Sequence, residues 1–142
     1  MMGVDQNMQR PTRRRLTCLA FMSLLIPFGM VCRFVPIGLP PLIVKYGGSF
    51  LWAMTVYWFI AFFLARQRPL ALGLIALVVT TAIEFLKQVQ SPQLEIIRDT
   101  FFGKVILGRY FSYTDIVVYW FAVLWAVWMD HTAIHGRAAS KE

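Results

Sequence analysis

The chain has 142 residues, of which 58% are hydrophobic, 15% aromatic and 15% charged, with a formal net charge of +7. An ordinary soluble domain is about 45–50% apolar and about 25% charged, and a chain this short has too little interior to hide so much apolar surface from water. A soluble enzyme, a disordered tail and a disulfide-rich secreted domain are excluded on these grounds, which leaves an integral membrane protein.

A basic arm, residues 1–15, carries Arg10, Arg13, Arg14 and Arg15 ahead of the first apolar run. Crossing the hydrocarbon core takes roughly 17–25 mostly apolar residues, and four runs qualify, at about 16–32, 50–65, 70–86 and 114–130. The first lacks a small-x-small cleavage site around Gly29-Met30-Val31-Cys32, so it reads as an uncleaved anchor rather than a signal peptide. Cys18 and Cys32 lie on that one helix, separated by ~21 Å of helical rise, too far for a disulfide.

The connector 33–49 is dense in Pro36, Gly38, Pro40, Pro41 and Gly47-Gly48, which predicts a loop at the outer interface. The second run ends at Arg66 and Arg68, the third is clean until Glu84, and the fourth is bracketed by Asp115 and Asp130. Trp52, Tyr57, Trp58, Tyr119, Trp120, Trp125 and Trp128 read as interfacial belt and helix packing. The connector 87–113 is too long for a tight hairpin. Ser91-Pro92 with Glu95 close behind is a helix start, and Leu94, Ile97, Phe101 and Phe102 recur at helical spacing. A short amphipathic or re-entrant element is expected there. In the tail, 131–142, His131 and His135 share a helical face but have only Asp130 nearby, so no metal is assigned. No GxSxG, Cys-His pair, P-loop or CxxC is present, and no cofactor is implied.

The Lys and Arg bias of the short flanks, strongest at 10–15 and at Arg66–Arg68, predicts both termini in the cytoplasm. The basic arm is then an orientation signal that meets anionic lipid, with no nucleic-acid partner expected.

The topology brings the end of the third span and the start of the fourth to one side. Glu84, Lys87 and Gln88 fall at i, i+3 and i+4, and Asp115 and Tyr119 at i and i+4. The connector adds Arg98 and Arg109. From Glu84 to Tyr119 the charges balance, with Lys87, Arg98, Lys104 and Arg109 against Glu84, Glu95, Asp99 and Asp115. Ionisable residues near the membrane core are functional candidates, so Glu84, Lys87, Gln88, Arg98, Arg109, Asp115 and Tyr119 form a candidate pocket. Arg98 and Arg109 would hold an anion by their guanidinium forks, while Glu84 and Asp115 orient them or exchange protons. The plainer alternative is a structural salt-bridge network, with Asp115 capping the fourth helix.

The ordered set Glu84-Phe85-Leu86-Lys87, Ser91-Pro92, Arg98-Asp99-Thr100, Gly103, Leu107-Gly108-Arg109, Phe111-Ser112 and Asp115-xxx-Tyr119 resembles an uncharacterised bacterial membrane family, domain of unknown function 2809. There is a looser likeness to VanZ-like proteins. The resemblance covers roughly residues 40–122 and implies a small four-span protein of the bacterial cytoplasmic membrane, without an established reaction. Relatives often carry Gly-Asp where this chain has Gly48-Ser49, Glu-x-x-Gln where it has Glu84-x-x-Lys87 with Gln88 next, and Gly where it has Ala122.

The expected architecture is an all-α, polytopic four-helix transmembrane bundle with the short element between its third and fourth helices. Three function classes follow. The leading one is an outer-leaflet pocket for a lipid headgroup or a lipid-linked, anionic envelope precursor. The others are an accessory subunit of a membrane assembly and a small dimeric transporter.

Overall fold

The computed structural model describes the backbone of residues 2–36, 38–108 and 110–139, and the side chains of 10–36, 38–108 and 110–133. Within them the chain forms α1 (Met2–Phe34), α2 (Pro41–Phe63), α3 (Pro69–Leu86), α4 (Pro92–Asp99), α5 (Phe101–Ile106) and α6 (Tyr113–Ala139), with no strand among the described residues. α1, α2, α3 and α6 each contain a stretch long and apolar enough to cross a membrane. The architecture is the all-α polytopic bundle that the composition demands.

Its packing is that of a protein dissolved in lipid. Large apolar side chains point outward: Leu24 is 71% exposed, Leu74 67%, Val78 69% and Phe121 67%. A water-soluble monomer does not carry that much contiguous apolar surface. The helix contacts are made instead by small residues, with Ala53, Ala61, Ala76, Ala122 and Ala126 fully buried. Small side chains let backbones approach closely where no hydrophobic drive separates helix from lipid. Gly73 is the tightest such point, since a Cβ there would lie 2.5 Å from Val127 Cγ2. α2 packs against α1, α3 and α6, and α6 also packs against α3. The core is thus α2–α3–α6, and α1 leans on α2, where Phe21 stacks on Trp58 with ring centroids 4.4 Å apart.

The second helix starts at Pro41, earlier than the expected residue 50. Proline in the first turn suits a helix start, because its missing N–H would be unsatisfied there anyway. Gly47-Gly48, expected as a turn, lies inside α2. In a membrane the backbone must satisfy its own hydrogen bonds, so glycine breaks a helix less readily than it does in water. The extension places Lys45, Ser49 and Trp52 at i, i+4 and i+7, on one face.

The long connector folds as anticipated around Ser91, whose hydroxyl caps α4 by accepting from the Leu94 N–H at 3.3 Å. Thr100 ends α4 and caps α5, accepting from the Gly103 N–H at 3.1 Å. α4 and α5 pack on each other and are tied to α1 by Arg33 donating to the Lys104 carbonyl at 3.0 Å and by Phe34 stacking on Phe101. Ile96 and Phe102 stay exposed on this apolar element.

Arg14 reaches the Ala65 and Gln67 carbonyls and Asp130. The start of the α1 apolar segment, the α2–α3 turn and the far part of α6 therefore share one end of the bundle, called here the hairpin end. The opposite, connector end holds the α1–α2 turn and residues 87–112. Arg109 and the side chain of His135 lie outside the described residues.

The α4–α5 corner and the α2 glycines predict opposite responses to the same substitution. A Cβ at Gly103 would sit 1.8 Å from the Ile97 carbonyl oxygen, so Gly103→Ala should cost about 1–3 kcal/mol as overpacking against rigid backbone. At Gly47 nothing lies within 4 Å of the added Cβ, so Gly47→Ala should be neutral or stabilising by up to about 1 kcal/mol. Thermal unfolding in detergent, with hydrogen exchange across 92–106, separates the two.

Candidate functional site

The connector end is built around Glu84, in the last turn of α3 and fully buried. A carboxylate cannot be stripped of water unless other groups replace its hydration. Three do so. Lys87, one turn on, places its Nζ 2.5 Å from Oε2. The Tyr119 hydroxyl of α6 donates to the same Oε2 at 2.9 Å, and the Ser112 N–H donates to Oε1 at 2.9 Å. Lys87 Nζ also lies 3.5 Å from the Tyr119 hydroxyl. Gly108, at φ +62°, folds the backbone over the Lys87 stem, 3.3 Å from its Cε at the position a Cβ would take. The result is a closed knot joining the end of α3, the start of α6 and the chain between them.

Asp115 lies one turn before Tyr119 on α6 and is 5% exposed. The Ser49 hydroxyl of α2 sits beside both Asp115 and Tyr119, and Lys45 and Lys87 are the cations acting on the Asp115 carboxylate. Its Oδ1 is buried with no hydrogen-bond partner. Lys45 itself is exposed, its ammonium 5.4 Å from the Tyr46 ring centroid, and Trp52 closes one side against Tyr119 at 5.4 Å between centroids.

Of the seven candidate residues, Glu84, Lys87, Asp115 and Tyr119 come together. Gln88 is exposed beyond the end of α3 and takes no part. Arg98 is 5% exposed and donates from Nη2 to the Leu86 and Val89 carbonyls at 2.9 and 3.0 Å. It caps the C-terminal end of α3, where the last carbonyls lack helical donors and the dipole favours a cation, so Nη2 is committed to backbone, while its Nε is buried without a hydrogen-bond partner. Arg109 lies outside the described residues. Lys45 and Ser49 were not in the expected set. Reading 33–49 as a loop hid them, although the Gly48-Ser49 departure from the family pattern already pointed at the position.

A second buried polar group lies at the hairpin end and was not anticipated. Asp130, 2% exposed, pairs with Arg14 and accepts from the Tyr57 hydroxyl at 2.7 Å. Arg14 also donates to the Ala65 carbonyl at 3.0 Å and the Gln67 carbonyl at 2.5 Å, so one guanidinium joins α1, the α2–α3 turn and α6. The sequence signal was an acid closing an apolar run, with an arginine cluster due at the same end.

The family model described as protein of unknown function, DUF2809, matches residues 38–128, and the chain belongs to that family. The match runs from the turn before α2 through most of α6. It contains the whole connector-end cluster and Tyr57 but neither Arg14 nor Asp130. No solved structure matches this chain.

The Glu84 geometry makes its variants unequal. Glu84→Gln keeps an oxygen but leaves Lys87 buried without a counter-charge, so it should cost roughly 3–5 kcal/mol. Tyr119→Phe removes one donor of three and should cost about 1–3 kcal/mol. Exchanging the charges, Glu84→Lys with Lys87→Glu, should not restore stability, because a lysine at 84 has no oxygen to accept from Ser112 and Tyr119. Thermal unfolding of the four proteins checks the order; recovery of parental stability by the exchange would reduce the knot to a plain ion pair.

Proposed function

We propose that the connector end of this membrane protein recognises the polar headgroup of a lipid or of a lipid-linked envelope precursor, at a site centred on Asp115. The observation that carries this reading is the Asp115 Oδ1, buried without a partner while Glu84 beside it is fully satisfied. An unsatisfied buried polar atom costs about 1–3 kcal/mol, and a donor on a ligand, an ammonium or a hydroxyl, would remove that cost. Lys45 at the exposed rim offers a cation for a headgroup phosphate, the part first expected of Arg98. Two carboxylates and two ammonium groups make the cluster electrically balanced, which fits a ligand carrying both signs better than a purely anionic one.

The accessory-subunit reading is favoured by a different observation, the closure of the Glu84 knot, which fixes three chain segments without any ligand. The transporter reading fits less well, since Glu84 lies in the last turn of α3 and not in mid-span.

The connector end would face outward from the bacterial cytoplasmic membrane, with the hairpin end and both termini in the cytoplasm. Supporting this, Arg10, Arg13, Arg14, Arg15, Arg66 and Arg68 gather at the hairpin end, and such residues stay inside. A reporter inserted at Gln67 should be active only as a cytoplasmic fusion, and activity of an exported reporter there reverses the orientation.

Native mass spectrometry of protein extracted from its membrane tests the site. The parent should retain lipid or lipid-linked adducts that Asp115→Asn, nearly isosteric but uncharged, loses. Identical adducts on both proteins would leave the accessory-subunit reading in its place.

A further inference from the structure

We propose that the hairpin end holds a second, separate site, which binds the phosphate of an anionic phospholipid. A cleft of about 580 Å³ opens there between the start of the α1 apolar segment and the α2–α3 turn, and Arg15 and Arg66 line it together with Pro11, Phe63 and Leu64. The neighbouring Arg14 is committed to Asp130 and to two carbonyls. Arg15 and Arg66 are not so committed: neither forms an ion pair among the described residues. The Arg15 guanidinium is steadied 5.9 Å from the Phe62 ring centroid, a contact that leaves its charge uncompensated.

The lining selects the ligand. Among the described residues it contains two guanidinium groups and no carboxylate, so it offers bidentate donors for phosphate and no counter-charge for the ammonium of a zwitterionic headgroup. Below the arginines lie Phe63, 62% exposed, and Leu64, 40% exposed, at the end of an apolar helix. They provide a surface for acyl chains directly beneath a bound phosphate. Free inorganic phosphate would use the arginines and waste that surface; an anionic lipid would use both. Basic pockets among membrane helices recognise lipid headgroups by this chemistry.

The test uses the full chain in phosphatidylcholine nanodiscs doped with phosphatidylglycerol, with retained lipids counted by native mass spectrometry after gentle extraction. The parent should retain phosphatidylglycerol in preference to phosphatidylcholine. Arg15→Gln with Arg66→Gln should lower that retention on the order of tenfold, given two basic residues near the membrane surface. The charge-matched control, Arg10→Gln with Arg13→Gln, changes arginines outside the cleft lining and should retain phosphatidylglycerol as the parent does. In an Asp115→Asn background the Arg15→Gln, Arg66→Gln pair should produce the same fold loss as in the parent, which keeps this test independent of the connector-end site.

Equal retention by the parent and the Arg15/Arg66 variant overturns the proposal, as does an equal loss in the control, which would mark a diffuse charge effect. Inorganic phosphate binding the parent as strongly in pure phosphatidylcholine discs overturns the lipid assignment. If the double variant unfolds, Arg66→Gln alone, in the exposed turn, should still lose retention several-fold, and its failure to do so is equally decisive.

Discussion

Three carboxylates, Glu84, Asp115 and Asp130, are buried in this apolar bundle, and the need to compensate them decides how its helices are joined at the ends. A carboxylate in a low-dielectric interior without partners costs more than a marginally stable fold can supply. Glu84 recruits Lys87 from its own helix end, Tyr119 from α6 and the backbone of Ser112, which pulls the chain before α6 across the end of α3. Asp130 recruits Tyr57 from α2 and Arg14 from α1. That pair is what connects α1 to α6, since at the backbone level α1 packs only on α2. Apolar contacts alone would leave these helices free to slide and rotate, because lipid is as good a neighbour for leucine as another helix is.

The spans and their number were legible because hydropathy over some twenty residues is a strong signal. The start of α4 was legible for a local reason: Ser91 followed by Pro92 satisfies the first helical N–H groups whatever surrounds it. The start of α2 was misread, because Gly47-Gly48 and Pro41 were weighed by their behaviour in water. In lipid an unwound segment must find other partners for its backbone groups, so the helix continues through both glycines. That misreading moved Lys45 and Ser49 off the helix face that brings them to Asp115 and Tyr119. Asp130 and Arg14 stand 116 positions apart, and neither has a local signature that names the other. Arg98 shows the same gap in reverse. Its residue type promised an anion site, but the nearest unmet need was the pair of carbonyls at the end of α3.

The family match ends at residue 128, between the two polar groups of α6. Everything around Glu84 and Asp115 lies within the part of the chain that the family model covers, including the connector that closes over Lys87. The α1 contribution, Arg14, stands outside it. No α1 residue takes part in the hydrogen bonds and ion pair of the connector-end cluster, whereas the hairpin-end pair is made by Arg14 of α1. The two ends thus have different structural dependencies, and a disturbance of α1 packing at Phe21 and Trp58 bears first on the Asp130 group.

The charge of +7 is distributed along the same division. At the connector end the acids Glu84, Glu95, Asp99 and Asp115 stand against the bases Arg33, Lys45, Lys87, Arg98, Lys104 and Arg109, so most of the charge there is offset and a small positive excess remains. Charges that largely offset one another produce a weaker field at a distance, so that end discriminates more by close fit than by long-range attraction. At the hairpin end Asp130 is answered by Arg14, which leaves Arg10, Arg13, Arg15, Arg66 and Arg68 without ion pairs among the described residues. An excess of that kind extends its potential about a Debye length into solvent and draws in anions before any shape is matched. One bundle therefore presents two kinds of polar surface, one nearly balanced and closed apart from the buried, unpartnered Asp115 Oδ1 and Arg98 Nε, the other more strongly cationic and open. The Asp115 oxygen lacks a donor, whereas the arginines of the hairpin end present donors, so these two groups differ in which half of a hydrogen bond they leave open.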